Sequence, residues 1–241
     1  MLFFYIRHGD PTYHPDELTP KGRREAEAIG RRLALFGLDK IYSSTSNRAY
    51  ETALPAAEML KKEITQLEFA HESQAFKEFS TLNDEGKRNW VKDITKYKCL
   101  FASDEIHALG KNWFEHPDLA ELPSLKSGIH RIREEADKFM LSLGYEHDRT
   151  TNTYRAVAPT NDRVALFAHA GFGSVFLPEI LDIPYPAFAA HTDMRTTGMT
   201  VISFEPEQGT DIVIPCMLTY SADGHLYKDG LPLTYANHGA F

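Results

Sequence analysis

A chain of 241 residues with 42% hydrophobic and 25% charged residues can bury a full hydrophobic core and has the composition of one globular α/β domain. Its formal net charge of −8 excludes the broad basic surface that a nucleic-acid backbone requires. The widely spaced Cys99 and Cys216 exclude a disulfide framework. Because we find neither a signal-peptide pattern nor an apolar run of membrane-spanning length, we expect a cytoplasmic protein without membrane or nucleic-acid partners.

The first elements predicted along the chain are a strand and a helix. Residues 2–6 form a short apolar run rich in aromatic side chains, which is typical of a buried strand. The run ends in a loop by composition, residues 7–11. Thr19 and Pro20 have the character of an N-cap and a first helical residue, and Gly37 offers the end of that helix.

A second strand and a second helix follow. Residues 40–43 are the strand, and the helix begins near Ser46 with small apolar residues on one face. Pro55 falls inside the helical pattern, so we expect a kink there.

The middle of the chain, roughly residues 80–160, differs in character. It is rich in charged residues, contains scattered aromatic residues, and includes one clear amphipathic helix over residues 129–143. We interpret it as a largely helical insertion within a single domain of residues 1–241, with Trp90 and Trp113 as core residues of this cap.

The last third returns to strands alternating with helices. A buried strand is predicted over residues 163–168, a helix over about 173–182, and strands near 199–205 and 211–219. The order of elements predicts an α/β fold with a doubly wound, mostly parallel sheet flanked by helices. In such sheets ligands bind beyond the carboxyl ends of the strands.

Reactive side chains lie where three predicted strands end. The first strand runs into Arg7 and His8, the second leads to Arg48 at the start of the next helix, and the third ends at His169. If these strands are neighbours, two histidines and two arginines meet in one pocket. Guanidinium groups match phosphate oxygens, and a neutral imidazole can attack phosphorus and leave again. Taken alone, His8 and Arg48 are more often structural residues and His169 fits either role, so the prediction depends on their coincidence.

Four segments in this order resemble motifs of the histidine phosphatase superfamily, the phosphoglycerate-mutase-like clan. The segment 7–9 (Arg-His-Gly) is similar to its signature, and 18–26 (LTPKGRREA) to its "LTxxGxxQA" helix start. The segment 42–53 (YSSTSNRAYETA) is similar to "YSSxxxRAxxTA", and 167–171 (FAHAG) to "VxHGG", with alanine replacing one glycine. The middle insertion matches none of these motifs.

The resemblance implies roles for four of these residues. His8 would be the catalytic phospho-acceptor, Arg7 and Arg48 would bind the substrate phosphate, and His169 would complete the catalytic pocket. No metal and no cofactor would be required, and the partner would be a small phosphate ester.

The family also uses an acidic residue that protonates the leaving group and then activates water. Glu78, in the segment Phe-Lys-Glu after the second helix, is the nearest match to the family's acid motif. Asp84 and Glu85 remain alternatives, because the spacing to the following glycine and tryptophan departs from that motif.

These features favour a metal-independent phosphomonoester hydrolase that forms a phosphohistidine on His8 and acts on a small phosphorylated metabolite. Only the eight residues 10–17 separate the signature from the "LTxxG" segment, which is short for a mutase of this clan. Two alternatives stay open: a phosphoglycerate-mutase-type phosphotransferase, and a catalytically impaired phosphate-binding module. No GxxxxGK[ST], GxSxG or HExxH motif supports another hydrolase class.

Overall fold

The structure is a computed structural model that describes residues 1–232; the last nine residues of the predicted domain lie outside the described residues. The strands are β1 (Leu2–Arg7), β2 (Pro11–Tyr13), β3 (Asp16–Leu18), β4 (Lys40–Ser44), β5 (Ile64–Leu67), β6 (Ser80–Leu82), β7 (Arg88–Trp90), β8 (Tyr145–Asp148), β9 (Thr153–Ala156), β10 (Arg163–Ala168), β11 (Met199–Ser203), β12 (Ile212–Val213) and β13 (Cys216–Ala222). The helices are α1 (Pro20–Phe36), α2 (Asn47–Leu60), α3 (Glu72–Glu78), α4 (Thr95–Phe101), α5 (Asp104–Ala108), α6 (Pro123–Ser142), α7 (Ala170–Leu181), α8 (Tyr185–Ala189) and α9 (Gly224–Lys228). Short 3-10 helices span Glu68–Ala70, Val91–Asp93, Gly110–Glu115 and Pro117–Leu119.

The fold is organised around a six-stranded sheet with the strand order β13-β11-β1-β10-β4-β5. The pairs β1–β10, β10–β4 and β4–β5 are parallel, while β11 and β13 add an antiparallel edge. The register pairs Arg7 with Ala168 and Ser43 with Phe167, so three parallel strands end at the same level. The predicted mostly parallel α/β fold is confirmed.

Helix α1 begins and ends where the sequence indicates. The Thr19 hydroxyl accepts a hydrogen bond from the backbone N–H of Gly22, and Gly37 closes the helix at φ +74°. A Cβ placed on Gly30 would lie 2.8 Å from the Cβ of Pro55, so this glycine lets α1 pack closely on α2.

The two faces of the sheet are covered by different helices because successive strand residues point to opposite sides. Phe4 and Ile6 pack with Ile29 of α1 and Ala53 of α2. On the other face, the buried residues of β1 join a larger cluster with α6 and α7, whose aromatic members include Phe3, Tyr5, Phe139, Phe172 and Phe176. This two-sided cover is what a doubly wound sheet requires.

The segment 80–160 holds α4, α5 and α6 together with the hairpins β6–β7 and β8–β9. Trp113 is buried, and it belongs to the same hydrophobic cluster as the residues of β1, α6 and α7 that pack on one face of the main sheet. Trp90 is half-buried and packs edge-on against Phe76 with ring centroids 5.3 Å apart.

Several boundaries differ from the prediction: the helix predicted over 129–143 begins at Pro123, and the strand predicted near 199–205 ends at Ser203. The strand predicted near 211–219 is divided into β12, which pairs with β9 in a small separate sheet, and β13 of the main sheet. Pro215 lies between them, and a proline has no N–H for a continuous strand ladder. The helix predicted over 173–182 begins earlier, at Ala170, directly after His169.

Within residues 1–232, no helix is long and apolar enough to cross a lipid bilayer. Cys99 and Cys216 are both free and exposed.

Candidate active site

The carboxyl ends of β1 and β10 bring the predicted residues together. The rings of His8 and His169 lie edge to face with their centroids 5.2 Å apart. Arg48, in the first turn of α2, places its Nη2 atom 3.1 Å from Nδ1 of His169. Arg7, the last residue of β1, is buried beside them, with 8% of its surface exposed, and donates a hydrogen bond to the carbonyl of Met194. Both imidazoles and both guanidiniums therefore belong to one cluster.

His8 is held in a conformation that leaves one ring nitrogen available. Its Nδ1 atom lies 2.7 Å from the carbonyl oxygen of Gly9. Burial, reinforced by His169 and Arg7, lowers the pKa of His8 well below its ordinary value, so the ring is neutral. Because the carbonyl can only accept, Nδ1 carries the proton and Nε2 keeps its lone pair. This is the tautomer that a nucleophilic Nε2 needs.

The loop after His8 packs unusually close to the start of α1. The backbone N–H of Gly9 donates to the Thr52 hydroxyl at 3.0 Å. A Cβ on Gly9 would lie 2.7 Å from the carbonyl oxygen of Gly22, and one on Gly22 would lie 2.1 Å from that of Asp10. Only glycine fits at either position without moving the backbone, which explains the glycines of the first two motifs.

His169 is also neutral, but it is oriented differently. Burial, followed by the positive charge of Arg48, lowers the pKa of His169 well below its usual range. Its Nδ1 accepts from Arg48 at 3.1 Å, and its Nε2–H donates to the Ser44 hydroxyl at 2.9 Å. In this arrangement Nδ1 of His169 orients Arg48, while its Nε2 faces the hydroxyls of both Ser44 and Ser46, the latter at 3.2 Å.

The carboxylate nearest the two histidines is Glu72, which belongs to none of the sequence motifs. One of its oxygens accepts from Arg48 Nη2 at 3.0 Å and lies 3.6 Å from His169 Nδ1. The other accepts from the backbone N–H of Gly171, in the first turn of α7, at 3.1 Å. Glu72 is the first residue of α3, and no local sequence signal distinguishes it from the other acidic residues of this polar segment.

The structure does not bring Glu78 into the pocket. Glu72 and Glu78 occupy opposite ends of the short helix α3. Both oxygens of Glu78 accept from the guanidinium of Arg131, at 2.7 and 2.6 Å, which fixes the carboxylate against α6. The alternatives Asp84 and Glu85 are exposed in the turn between β6 and β7. None of the three acidic residues considered from sequence lines the site.

A pocket of about 250 Å³ opens in front of this cluster. From the sheet side and the hairpin β2–β3 it is lined by Arg7, His8, Tyr13, Glu72, Ala170, Gly171 and Asp193, and from the insertion by Trp90, Lys92 and Asp93. Arg48 and His169 lie behind Glu72 and Tyr13. The ring of Tyr13 covers the Arg48 guanidinium, with 5.3 Å between the guanidinium carbon and the ring centroid. The insertion therefore forms one wall of the pocket, and Trp90 is a pocket residue as well as a packing residue.

The indole of Trp90 rests directly on the backbone at the start of α7. A Cβ on Gly171 would lie 2.0 Å from an indole carbon of Trp90. The absence of a side chain at this position lets the cap approach the helix N-terminus, whose N–H groups favour negatively charged ligands.

His8, Glu72 and His169 are also the group of described residues that could most readily hold a metal ion, since their ligand atoms all lie within 4.8 Å of one another. Imidazole and carboxylate ligands suit zinc and similar ions. However, the guanidinium of Arg48 donates to two members of this group and Arg7 is adjacent, and two permanent positive charges disfavour a divalent cation. These two guanidiniums suit an oxyanion, which would compete with Asp16 and Glu72, the carboxylates now paired with Arg48.

Comparisons with known proteins agree with this geometry. Residues 3–96 match the family model described as histidine phosphatase superfamily (branch 1). A curated relative, "Putative phosphoserine phosphatase 2" of Hydrogenobacter thermophilus, is 29% identical over 133 residues, which cover 52% of this chain and 58% of the relative. The match thus spans little more than half the length of that protein.

Solved structures share the fold over nearly the whole chain. A phosphoserine phosphatase mutant from Entamoeba histolytica, in complex with phosphoserine, has a TM-score of 0.57 at 17% identity and covers 93% of this chain and 98% of its own. A mycobacterial glucosyl-3-phosphoglycerate phosphatase has a TM-score of 0.58 at 19% identity, with 92% and 98% coverage. Identities this low show a common fold.

Proposed function

We propose that this chain, a member of the histidine phosphatase superfamily, is a phosphatase of small phosphorylated metabolites that reacts through a phosphohistidine on His8. The observation that carries the proposal is the state of His8: a neutral ring whose Nδ1–H is bonded to the Gly9 carbonyl, with Nε2 available at a pocket that Arg7 lines and behind which Arg48 lies. Phosphoryl transfer depends mainly on positioning and on cations around the phosphoryl oxygens.

In the first step, Nε2 of His8 attacks phosphorus in line while the bond from phosphorus to the ester oxygen breaks. Arg7 binds the phosphoryl oxygens from the sheet side. Glu72 now holds Arg48 and the N–H of Gly171, both of which are donors suited to a phosphate oxygen. A bound phosphate competes for these donors, displaces the carboxylate and, as a like charge, raises its affinity for a proton.

We therefore assign the general-acid role to Glu72 rather than to Glu78. Protonated Glu72 gives its proton to the departing alcohol oxygen. In the second step the same carboxylate takes a proton from water, the water oxygen attacks the phosphohistidine, and inorganic phosphate leaves with His8 restored. Glu78 is engaged by Arg131 and contacts neither histidine.

The proposed reaction needs no metal ion, which can be tested by measuring hydrolysis in the presence of EDTA. The permanent charges of Arg7 and Arg48 supply the electrostatic stabilisation that a metal ion supplies elsewhere. Hydrolysis of p-nitrophenyl phosphate should continue at the same rate in EDTA and cease in the His8→Ala variant. A rate that EDTA abolishes and zinc restores would refute the metal-free mechanism.

The residues that the cap contributes to the pocket favour a substrate that carries a carboxylate near its phosphate. Lys92 is nine-tenths buried at the pocket, and its ammonium group lies 3.0 Å from the Asp93 carboxylate, which a substrate carboxylate would replace as its partner. The named activities of the relatives, on phosphoserine and on a phosphoglycerate ester, fit such a substrate. The Lys92→Ala variant should raise KM for phosphoserine or 3-phosphoglycerate by about tenfold and leave KM for p-nitrophenyl phosphate nearly unchanged.

A further inference from the structure

A second pocket lies between α1 and α9, apart from the phosphatase site. Its volume is about 420 Å³, which is within the range of small-molecule sites. Arg31, Arg32 and Lys228 line it together with one carboxylate, Asp229. None of its lining residues belongs to the pocket in front of His8.

The charge of this pocket is unusual for the molecule. Asp229 is already engaged by Arg31, with a separation of 2.7 Å between carboxylate oxygen and Nη2, so Arg32 and Lys228 supply the excess positive charge. The chain as a whole carries a formal charge of −8. Because the molecule as a whole is negatively charged, this cluster of cations is a local feature of the pocket and not part of a wider basic surface.

Arg32 provides the sharpest indication of a ligand. It is half-buried, and burial lowers its pKa although the more distant charge of Asp223 opposes the shift. Among the described residues its guanidinium has no hydrogen-bond or ion-pair partner, and the same holds for the ammonium group of Lys228. Removing a guanidinium from water without a partner is costly, and a bound oxyanion would offset this cost through a bidentate interaction.

The back of the pocket is formed by a buried histidine. His225 is 4% exposed, and burial lowers its pKa to about 4, so it adds no positive charge at neutral pH. Its Nε2 is within 2.9 Å of the Thr197 hydroxyl, and its Nδ1 has no partner among the described residues. Ala28 and Leu35 of α1 add apolar surface beside the cations.

We propose that the pocket between α1 and α9 is a second binding site, for a small anion with a phosphate group that Arg32 and Lys228 hold. This site is independent of the proposed phosphatase activity, since it shares no residue with it. The apolar surface beside the cations suits a phosphate ester, and inorganic phosphate is the simplest probe of the shared chemistry.

Backbone amide NMR resolves the two sites in one titration. Inorganic phosphate should produce saturable shifts at Ala28 and Gly224, whereas chloride at equal ionic strength should not. The double variant Arg32→Ala/Lys228→Ala should weaken these shifts by about tenfold or more and leave shifts at Gly9 and Gly171 intact. Arg24→Ala removes an exposed cation from the same helix and serves as the matched control.

The proposal is overturned if phosphate shifts Ala28 and Gly224 only linearly and no more than chloride does, or if the double variant titrates like the wild type. Should the double variant not fold, the wild-type titration still decides by its saturation. Arg32→Lys, which keeps the charge and loses the planar fork, should bind with intermediate affinity.

Discussion

At the scale of single residues, the two acidic groups at the ends of α3 differ in what they contact. Glu72 touches Arg48 and the N–H of Gly171, whereas Glu78 forms a bidentate pair with Arg131. We expect Glu72→Gln to lower kcat by roughly a hundredfold or more, because a general acid typically contributes that much. With p-nitrophenyl phosphate, whose leaving group needs little protonation, the loss of water activation should slow the second step most, and rapid-quench kinetics should show phosphoenzyme accumulating.

Glu78→Gln is the matched control for that substitution. It removes the same charge from the same helix, and kcat should stay within about threefold of the wild type, since removing a charge outside the site seldom changes the chemical step. A large loss of kcat in Glu78→Gln with none in Glu72→Gln would reverse the assignment.

The close contact between Gly171 and Trp90 predicts that a methyl group at position 171 impairs activity. A Cβ at this position would lie 2.0 Å from the indole, so Gly171→Ala has to displace Trp90 from the start of α7. We expect kcat/KM to fall by roughly tenfold to a hundredfold, because small displacements at a reacting centre are costly. In Gly224→Ala the new Cβ would meet nothing closer than the tip of Arg32 at 4.0 Å, and hydrolysis should be unaffected.

At the scale of elements, a buried charge network joins the cap to the C-terminal end of α7. The ring of His147 on β8 lies between Asp137 of α6 and Asp182 at the end of α7, at 3.0 and 2.7 Å, and Arg149 also pairs with Asp137. Burial alone would lower the pKa of His147, but its hydrogen bonds to Asp137 and Asp182 raise the pKa above the ordinary value. The charged ring therefore stabilises the folded state.

The direction of the pKa shift fixes the pH dependence of this stabilisation. It is fully present below pH 6.5, where the unfolded chain is also protonated, and is lost as pH rises through the raised folded pKa. His147→Gln should cost on the order of 3 kcal/mol at pH 6 and clearly less at pH 8.5, measured by urea unfolding. The surface variant His191→Gln should cost nothing at either pH, and an equal cost of His147→Gln at both would contradict the account.

Elements with strong local signals were predictable, and those set by distant contacts were not. Thr19 and Gly37 mark the ends of α1 by local backbone chemistry, and apolar runs mark β1 and β10. The convergence of Arg7, His8, Arg48 and His169 followed from parallel strands ending together. The position of Glu72 beside the histidines could not be predicted, because it depends on how α3 packs against α7, and a single carboxylate in a polar segment carries no local signature.

At the scale of the whole molecule, three buried neutral histidines oppose folding in acid. Burial is the main cause that lowers the pKa values of His8, His169 and His225, the last to about 4. The unfolded chain then binds more protons, so stability falls as pH drops below 6.5. His225 alone should make the fold about 2 kcal/mol less stable at pH 5 than at pH 7.

Urea unfolding of His225→Gln at the two pH values checks this contribution. The difference in unfolding free energy between pH 7 and pH 5 should be smaller than in the wild type by about 2 kcal/mol. An unchanged difference would show that His225 titrates normally in the folded protein.

A covalent phosphoryl intermediate on His8 can be detected by mass spectrometry. The enzyme is quenched under alkaline conditions during turnover of p-nitrophenyl phosphate in EDTA, digested with trypsin, and analysed by tandem mass spectrometry. We expect an acid-labile phosphate on His8 of the peptide 8–21, formed faster than steady-state turnover and absent in His8→Ala. Turnover without any phosphorylated peptide, or phosphate located on His14 of the same peptide, would contradict the account.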